Sequence, residues 1–257
     1  MKSKFIAVLS PAKLMSDRIR FAKFIQTRPV FLEEAEYLVK KLKKFSVEEL
    51  CKLMDMNKEL GLQTAERFKN WSVPVDRTNS LPAILLFEGE VYRGLSARKL
   101  SPNQLKWAHG HIRILSGLYG VLRPMDLVQP YRLMMGTPYS PLKKYKNLYE
   151  FWDYKLGQCL REDLEEDGIL VNLASKEYFK AIDLNALQRR VLHCEFKQRK
   201  GDKVTVIATY AKFARGLMAN YIINNEITDI EKLKEFNLEG YRFDEALSTE
   251  NEYVFVR

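Results

Sequence analysis

The apolar positions of this chain fall into runs of two kinds. Short continuous runs read as buried strands, and runs spaced three and four residues apart read as helices facing a core. The first run, Phe5 to Leu9, has five apolar residues before Ser10-Pro11-Ala12-Lys13 breaks it. That is shorter than the roughly 7 to 15 of a secretory signal core, so the segment is predicted as a first buried strand. Residues 14–30 mix basic and apolar positions (Arg18, Arg20, Phe21, Lys23, Phe24, Arg28) without a period and read as loop or short helix. From Phe31 to Phe45, Ala35, Leu38, Val39, Leu42 and Phe45 keep helical spacing, with acids early and Lys40, Lys41, Lys43 and Lys44 late, as the helix dipole favours. Ser46-Val47-Glu48-Glu49 is a capping box opening a helix expected to end at Gly61, and a third helix is expected over Thr64 to Trp71. Ala83 to Phe87 reads as a buried strand continuing through Tyr92.

Ser101-Pro102-Asn103-Gln104 sets an N-cap, a proline in the first turn and a glutamine three residues after the cap. The helix it opens is expected to carry Leu105, Ala108, Ile112 and Leu115 on one face. A further helix is expected from about Tyr149 to Leu164, closed by Gly168, followed by a strand over Ile169 to Ala174. Arg190 to Lys197 and Lys203 to Tyr210 flank Arg199-Lys200-Gly201-Asp202 and give the strongest hairpin signal of the chain. A helix over Ala211 to Asn225, a capping box at Thr228 and a terminal strand at Tyr253 to Val256 complete the series. Strands and helices intermix without a strict βαβ rhythm, and no repeat or low-complexity linker divides them. The expectation is one α+β domain, residues 1–257, around a mixed sheet flanked by helices.

Composition adds that 46% hydrophobic and 29% charged residues suit a soluble globular chain, without the roughly 18-residue apolar run of a membrane span. Cys51, Cys159 and Cys194 form no C-x-x-C pair, which favours buried thiols in a reducing compartment over disulfides or zinc. Only three histidines are available, so no metal site is assigned and no cofactor is expected. The net charge of +9 is unevenly spread. From Glu226 to Arg257 nine acidic residues face four basic ones, and the rest carries 38 basic against 24 acidic, a surplus of +14. Such a surplus attracts polyanions: nucleic acid, anionic lipid or an acidic protein.

The stretch His109 to Gly136 concentrates Gly117, Gly120, Arg123 and Arg132 among apolar residues. A glycine turn after a helix can offer backbone N–H groups to a phosphate, in the manner of a helix-hairpin-helix element, or serve as a tight packing point. Lys13, Lys176, Lys180, Lys212 and Arg215 follow predicted strand ends, where charges collect along one edge and can line a basic cleft. An enzyme is the alternative. Ser10-Pro11-Ala12-Lys13 satisfies S-x-x-K, where lysine can activate a serine, and Lys13 is the candidate for a glycosylase- or lyase-like reaction on DNA or a nucleotide. The helix-hairpin-helix glycosylases also need an aspartate about 20 residues past the hairpin, and nothing acidic lies between Asp126 and Glu150.

Several segments together resemble one family. Leu9 to Lys13, Gly89 to Leu95, Leu115 to Gly136, Leu148 to Trp152, Val171 to Lys180, Tyr210 to Met218 and Phe236 to Glu245 are similar to the YaaA family of bacterial peroxide stress-response proteins, over nearly the whole chain. Glu88 and Glu90 depart from it, where the family commonly has lysine and aspartate. The resemblance implies a cytoplasmic protein of the oxidative-stress response, linked to DNA repair and to limiting iron-driven damage. It implies an α+β fold with a basic cleft and a helix-hairpin-helix element carrying Gly117 and Gly120. The implied partner is double-stranded or branched DNA bound without strong sequence preference, with no membrane and no obligate protein partner. Lys13, Arg123, Arg132, Lys176, Lys180, Lys212 and Arg215 sit in matching motifs, and no catalytic residue is implied.

Overall fold

A computed structural model of the chain describes residues 2–16 and 26–257. The expectation for Arg18, Arg20, Phe21, Lys23 and Phe24 lies outside the described residues. One large sheet takes strands β1 (Ser3–Leu9), β5 (Ile112–Ser116), β6 (Gly120–Leu122), β8 (Leu164–Asn172), β9 (Arg190–Lys200), β11 (Arg242–Phe243) and β12 (Glu252–Val256) in the order β11-β12-β9-β8-β1-β5-β6. The five inner strands run parallel, while β6 and β11 are antiparallel edges and β10 (Lys203–Thr205) folds back on β9. Two short ribbons pair β2 (Leu14–Met15) with β4 (Phe87–Glu88) and β3 (Leu81–Pro82) with β7 (Leu127–Val128). The fold is thus α+β around a mixed sheet. The central strand β1 is fully buried from Phe5 to Leu9, which is why it reads as a continuous apolar run rather than an alternating one.

The helices are α1 (Leu32–Leu42), α2 (Val47–Met54), α3 (Lys58–Asn70), α4 (Ala83–Leu86), α5 (Glu90–Leu95), α6 (Pro102–His111), α7 (Leu148–Trp152), α8 (Lys155–Asp163), α9 (Lys176–Phe179), α10 (Leu184–Leu187) and α11 (Ala208–Asn224). The capping boxes at Ser46 and Ser101 form as the sequence predicts. Other boundaries move. Asp55 turns left-handed and Asn57 caps a new helix that runs straight through Gly61, so one expected helix is two. Ala83 to Tyr92 is not one strand: its apolar run is buried on short helices α4 and α5 with the two-residue strand β4 between them. Asp153, at φ 42°, divides α7 from α8, and Gly168 lies inside β8 rather than after a helix.

The largest change concerns His109 to Gly136. Helix α6 stops at His111, and Ile112 and Leu115 belong to β5, so the glycine turn is a β-hairpin between β5 and β6 and not a helix-hairpin-helix. Ile112 to Ser116 are all buried, which places the run between β1 and β6 as sheet interior rather than on a half-exposed helix. Helix α11 packs on α5 through two glycines. A Cβ on Gly216 would collide with the Val91 carbonyl oxygen, and one on Gly94 with that of Phe213. This close approach fixes the middle of α11 against α5.

Candidate functional site: the C-terminal edge of the parallel strands

In a sheet of parallel strands the loops at the carboxyl ends converge, and ligands of such sheets are bound there. The register sets Leu9 against Ile114, and Val8 against Asn172, so β1, β5 and β8 end at one level. Ser10 follows β1. Its hydroxyl oxygen accepts the Ser175 N–H at 2.8 Å and lies 3.2 Å from the Ser175 hydroxyl, which ties the β1 loop to the loop after β8. The Tyr92 hydroxyl donates to the Ser10 carbonyl at 3.0 Å. At the end of β5 the Ser116 hydroxyl is 2.6 Å from that of Tyr131, a phenol whose pKa is driven up by burial. Asn172 ends β8 with its side-chain oxygen on the Ala174 N–H and its amide nitrogen 3.0 Å from His193 Nδ1.

This frame carries most of the predicted cations. Lys13 is exposed after β1, and Lys176 and Lys180 are exposed on and after α9, with Lys180 Nζ 5.1 Å from the centre of the Tyr149 ring. Arg132 lies in the segment Pro130–Gly136 that crosses the end of β5, where Tyr131 reaches Ser116 and the Leu133 carbonyl packs on Gly117. Lys212 is exposed near the start of α11, which begins after β10 has folded back along β9. Arg215 sits on the same helix near Cys194 and Glu195. The Nε atoms of Arg132 and Arg215 are buried without a hydrogen-bond partner. Burial lowers the pKa of both, and for Arg132 the nearby Arg67 charge adds to it. Two acids of this edge are already engaged, Glu177 by the Gly136 N–H at 2.9 Å and Glu90 by Arg93 at 2.6 Å.

Three predicted residues are placed otherwise. Gly117 and Gly120 are buried, and the N–H groups of Leu118 and Tyr119 between them are taken by the Ser116 hydroxyl at 3.2 and 2.9 Å. Gly120, at φ +68°, is pressed between Leu156, Trp152 and Phe31. The turn therefore acts as the tight packing point that the sequence also allowed. Arg123 follows β6 and stands beside Arg113 at the other end of β5, about 10 Å from the Ser116 level at ~3.3 Å per residue. It donates to Asp163 at 2.8 Å, which also holds the buried Arg113 at 2.8 Å. The Ser10 hydroxyl is bonded to Ser175 rather than to Lys13, so the S-x-x-K pairing is not formed. Among the described residues no three His, Cys, Asp or Glu side chains are grouped to hold a metal ion, and no helix is long and apolar enough to cross a membrane.

Ser175, Ser116 and Tyr92, which build the edge with the buried Tyr131, are not among the residues singled out from the sequence. Ser175 had a signal, since it follows a strand and precedes Lys176. The others reach the site only through contacts between segments distant along the chain.

The parallel strands and their convergent loops define an α+β protein built around a mixed sheet. Residues 5–247 match the family described as peroxide stress protein YaaA, and the chain belongs to that family. Curated relatives span almost the same length. A UPF0246 protein of Neisseria gonorrhoeae is 44% identical over 252 residues, 97% of each chain. One of Neisseria meningitidis serogroup A is 42% identical over 252 residues, again 97% of each, and one of Saccharophagus degradans is 41% identical over 254 residues, 98% of this chain and 99% of its own.

Proposed function

We propose that the protein binds double-stranded or branched DNA largely without sequence preference, as part of a cytoplasmic peroxide stress response that protects DNA or assists its repair. The observation that carries this reading is the shared placement of Lys13, Arg132, Lys176, Lys180, Lys212 and Arg215 around the C-terminal edge of neighbouring strands β5, β1, β8 and β9. The surplus of +14 outside residues 226–257 supports it, because a positive field of that size draws in a polyanion before any contact forms. Lysine and arginine meet phosphates without reading bases, so affinity on this edge follows backbone charge rather than sequence. Arg132 and Arg215 are partly exposed guanidinium groups on this edge, and charge-assisted bonds from their accessible N–H groups to phosphate oxygens fit the reading. Arg123, bound to Asp163 at the other end of β5, and the buried Gly117 and Gly120 are left out of this surface.

Fluorescence anisotropy with a labelled duplex of random sequence, titrated at several salt concentrations, tests it. Affinity should fall steeply as salt rises, with a slope of about −0.9 per phosphate neutralised, and change little between sequences. A salt-independent affinity, or no binding at micromolar protein, overturns the reading.

A further inference from the structure

The hairpin that the sequence announces most strongly has no part in the edge just described. Strand β9 pairs with β8 only from Arg190 to His193, then continues to Lys200 and turns back into β10. Its far portion has two sides. The Arg199 N–H donates to the Arg257 carbonyl at 2.8 Å and the Arg257 N–H to the Lys197 carbonyl at 3.2 Å, so the side that carries β12 is filled by the chain terminus. β10 therefore lies on the other side, the one occupied by β8 lower down, and the ribbon stands over the end of β8 from which Lys176 and Lys180 follow.

The ribbon is basic and open. From Lys197 to Lys212 the chain has Lys197, Arg199, Lys200, Lys203 and Lys212 against the single acid Asp202. Arg199 is held by Asp244 at 3.2 Å, which leaves Lys200 and Lys203, paired across the two strands, as the exposed cations of the tip, with the exposed Asp202 in the turn between them. Gly201 takes φ +59° in the two-residue turn, and a Cβ there would meet nothing within 4 Å. Below the tip, Val206 is 51% and Ile207 44% exposed, unusual for adjacent β-branched residues with no core to fill.

We infer that the β9–β10 ribbon is an arm that enters the major groove of duplex DNA, with Lys200 and Lys203 on the flanking phosphates and Val206 and Ile207 against the apolar parts of the groove. This rests on the edge reading and extends it. Two strands ~4.8 Å apart with their side chains fit a groove about 12 Å wide but not one about 6 Å wide. A lone basic ribbon could also meet an anionic bilayer or, through the free side of β10, a second copy of the chain. The charge pairing at its tip and its position above Lys176 favour DNA already held at the sheet edge.

The test compares the full-length protein with Lys200→Ala/Lys203→Ala on the same duplex. The salt slope should become shallower by about 2, with affinity at ~0.1 M salt down about tenfold or more on every sequence. Lys200→Arg/Lys203→Arg should keep both, and circular dichroism should be unchanged because both side chains are exposed. Duplex with bulky glucosyl groups on the cytosine 5-position, which fill the major groove, should bind more weakly, while netropsin in the minor groove should not compete. If the unaltered protein binds duplex and the double alanine variant matches it in slope and affinity, the arm is refuted and the edge reading stands. If the unaltered protein binds no duplex, both fall. Binding to phosphatidylserine vesicles in preference to duplex, or concentration-dependent dimers lost in a β10 proline variant, also overturns the arm.

Discussion

Arg113 and Asp163 form a buried ion pair at the N-terminal end of β5, with Arg113 Nε 2.8 Å from Asp163 Oδ2 and the arginine side chain only 4% exposed. Burial alone would raise the Asp163 pKa, but Arg113 and Arg123 outweigh it and hold the carboxyl below its usual range. Asp163→Ala leaves Arg113 charged and buried, and urea unfolding should show a loss of about 3–5 kcal/mol. The depressed pKa means that this pair stabilises the fold above the unfolded carboxylate range near pH 4, and that its contribution disappears as pH falls through the lower folded value.

His109 titrates in the same neighbourhood with the opposite preference for charge. Burial, reinforced by Arg113 and Arg123, pushes its pKa down to about 4, and its Nδ1 accepts the Met125 N–H at 3.4 Å. The unfolded chain takes up this proton near pH 6.5 while the folded one resists it to about 4, so stability is lost as pH falls across that interval. Urea midpoints measured from pH 7 to pH 4.5 should decline less in His109→Gln than in the unaltered protein. An equal decline would remove His109 as the cause.

The packing of α11 on α5 makes Gly216 intolerant of any side chain. Gly216→Ala drives a methyl into the Val91 carbonyl, which is backbone and cannot swing aside. Separating the helices should cost about 3 kcal/mol or more, against a small gain expected for alanine over glycine in an ordinary helix. Thermal unfolding measures the sign directly, and it should be a marked loss. Gly201→Ala, which meets no atom, should cost only the strain of its positive φ.

Two thiols of this peroxide-stress family member, Cys159 and Cys194, are poorly set for attack on peroxide. Burial pushes the Cys159 thiol up to about 12, and Cys194 is raised further for the same reason. The reactive species is the thiolate, so alkylation with iodoacetamide at pH 8 followed by mass spectrometry should label neither in the folded state. Partly exposed Cys51, whose thiol lies 3.4 Å from the Asn57 carbonyl, should be labelled first.

Local chemistry was the legible part of this fold. Ser46 and Ser101 cap helices because the groups that satisfy their first N–H donors are within three residues, and β1 is recognisable because five consecutive apolar residues must be buried on both faces. Leu115 to Leu122 was not legible in the same way. A run of buried apolar residues with glycines suits a helical hairpin or a strand pair, and the choice is made by β1 alongside β5 and by Trp152, Leu156 and Phe31 closing on Gly120. Likewise Ala83 to Leu86 is apolar enough for a strand, but its N–H groups at Ala83 and Ile84 bond the carbonyls of Asp126 and Pro124, distant in sequence. Cations after strand ends could be read as one edge because parallel strands end together. Arg123 could not be separated from them until β6 proved antiparallel and delivered it to Asp163.

Whether DNA meets the C-terminal edge of the parallel strands is decided by comparing two variants on one duplex across the same series of salt concentrations. Lys176→Ala/Lys180→Ala, two exposed charges on that edge, should lower affinity about tenfold or more for every sequence and make the salt slope shallower by about 2. Arg123→Ala, at the opposite end of β5, should leave affinity within about twofold while lowering stability through Asp163. Full affinity in the lysine variant together with lost binding in Arg123→Ala would contradict the account and move the DNA surface to the other end of the sheet.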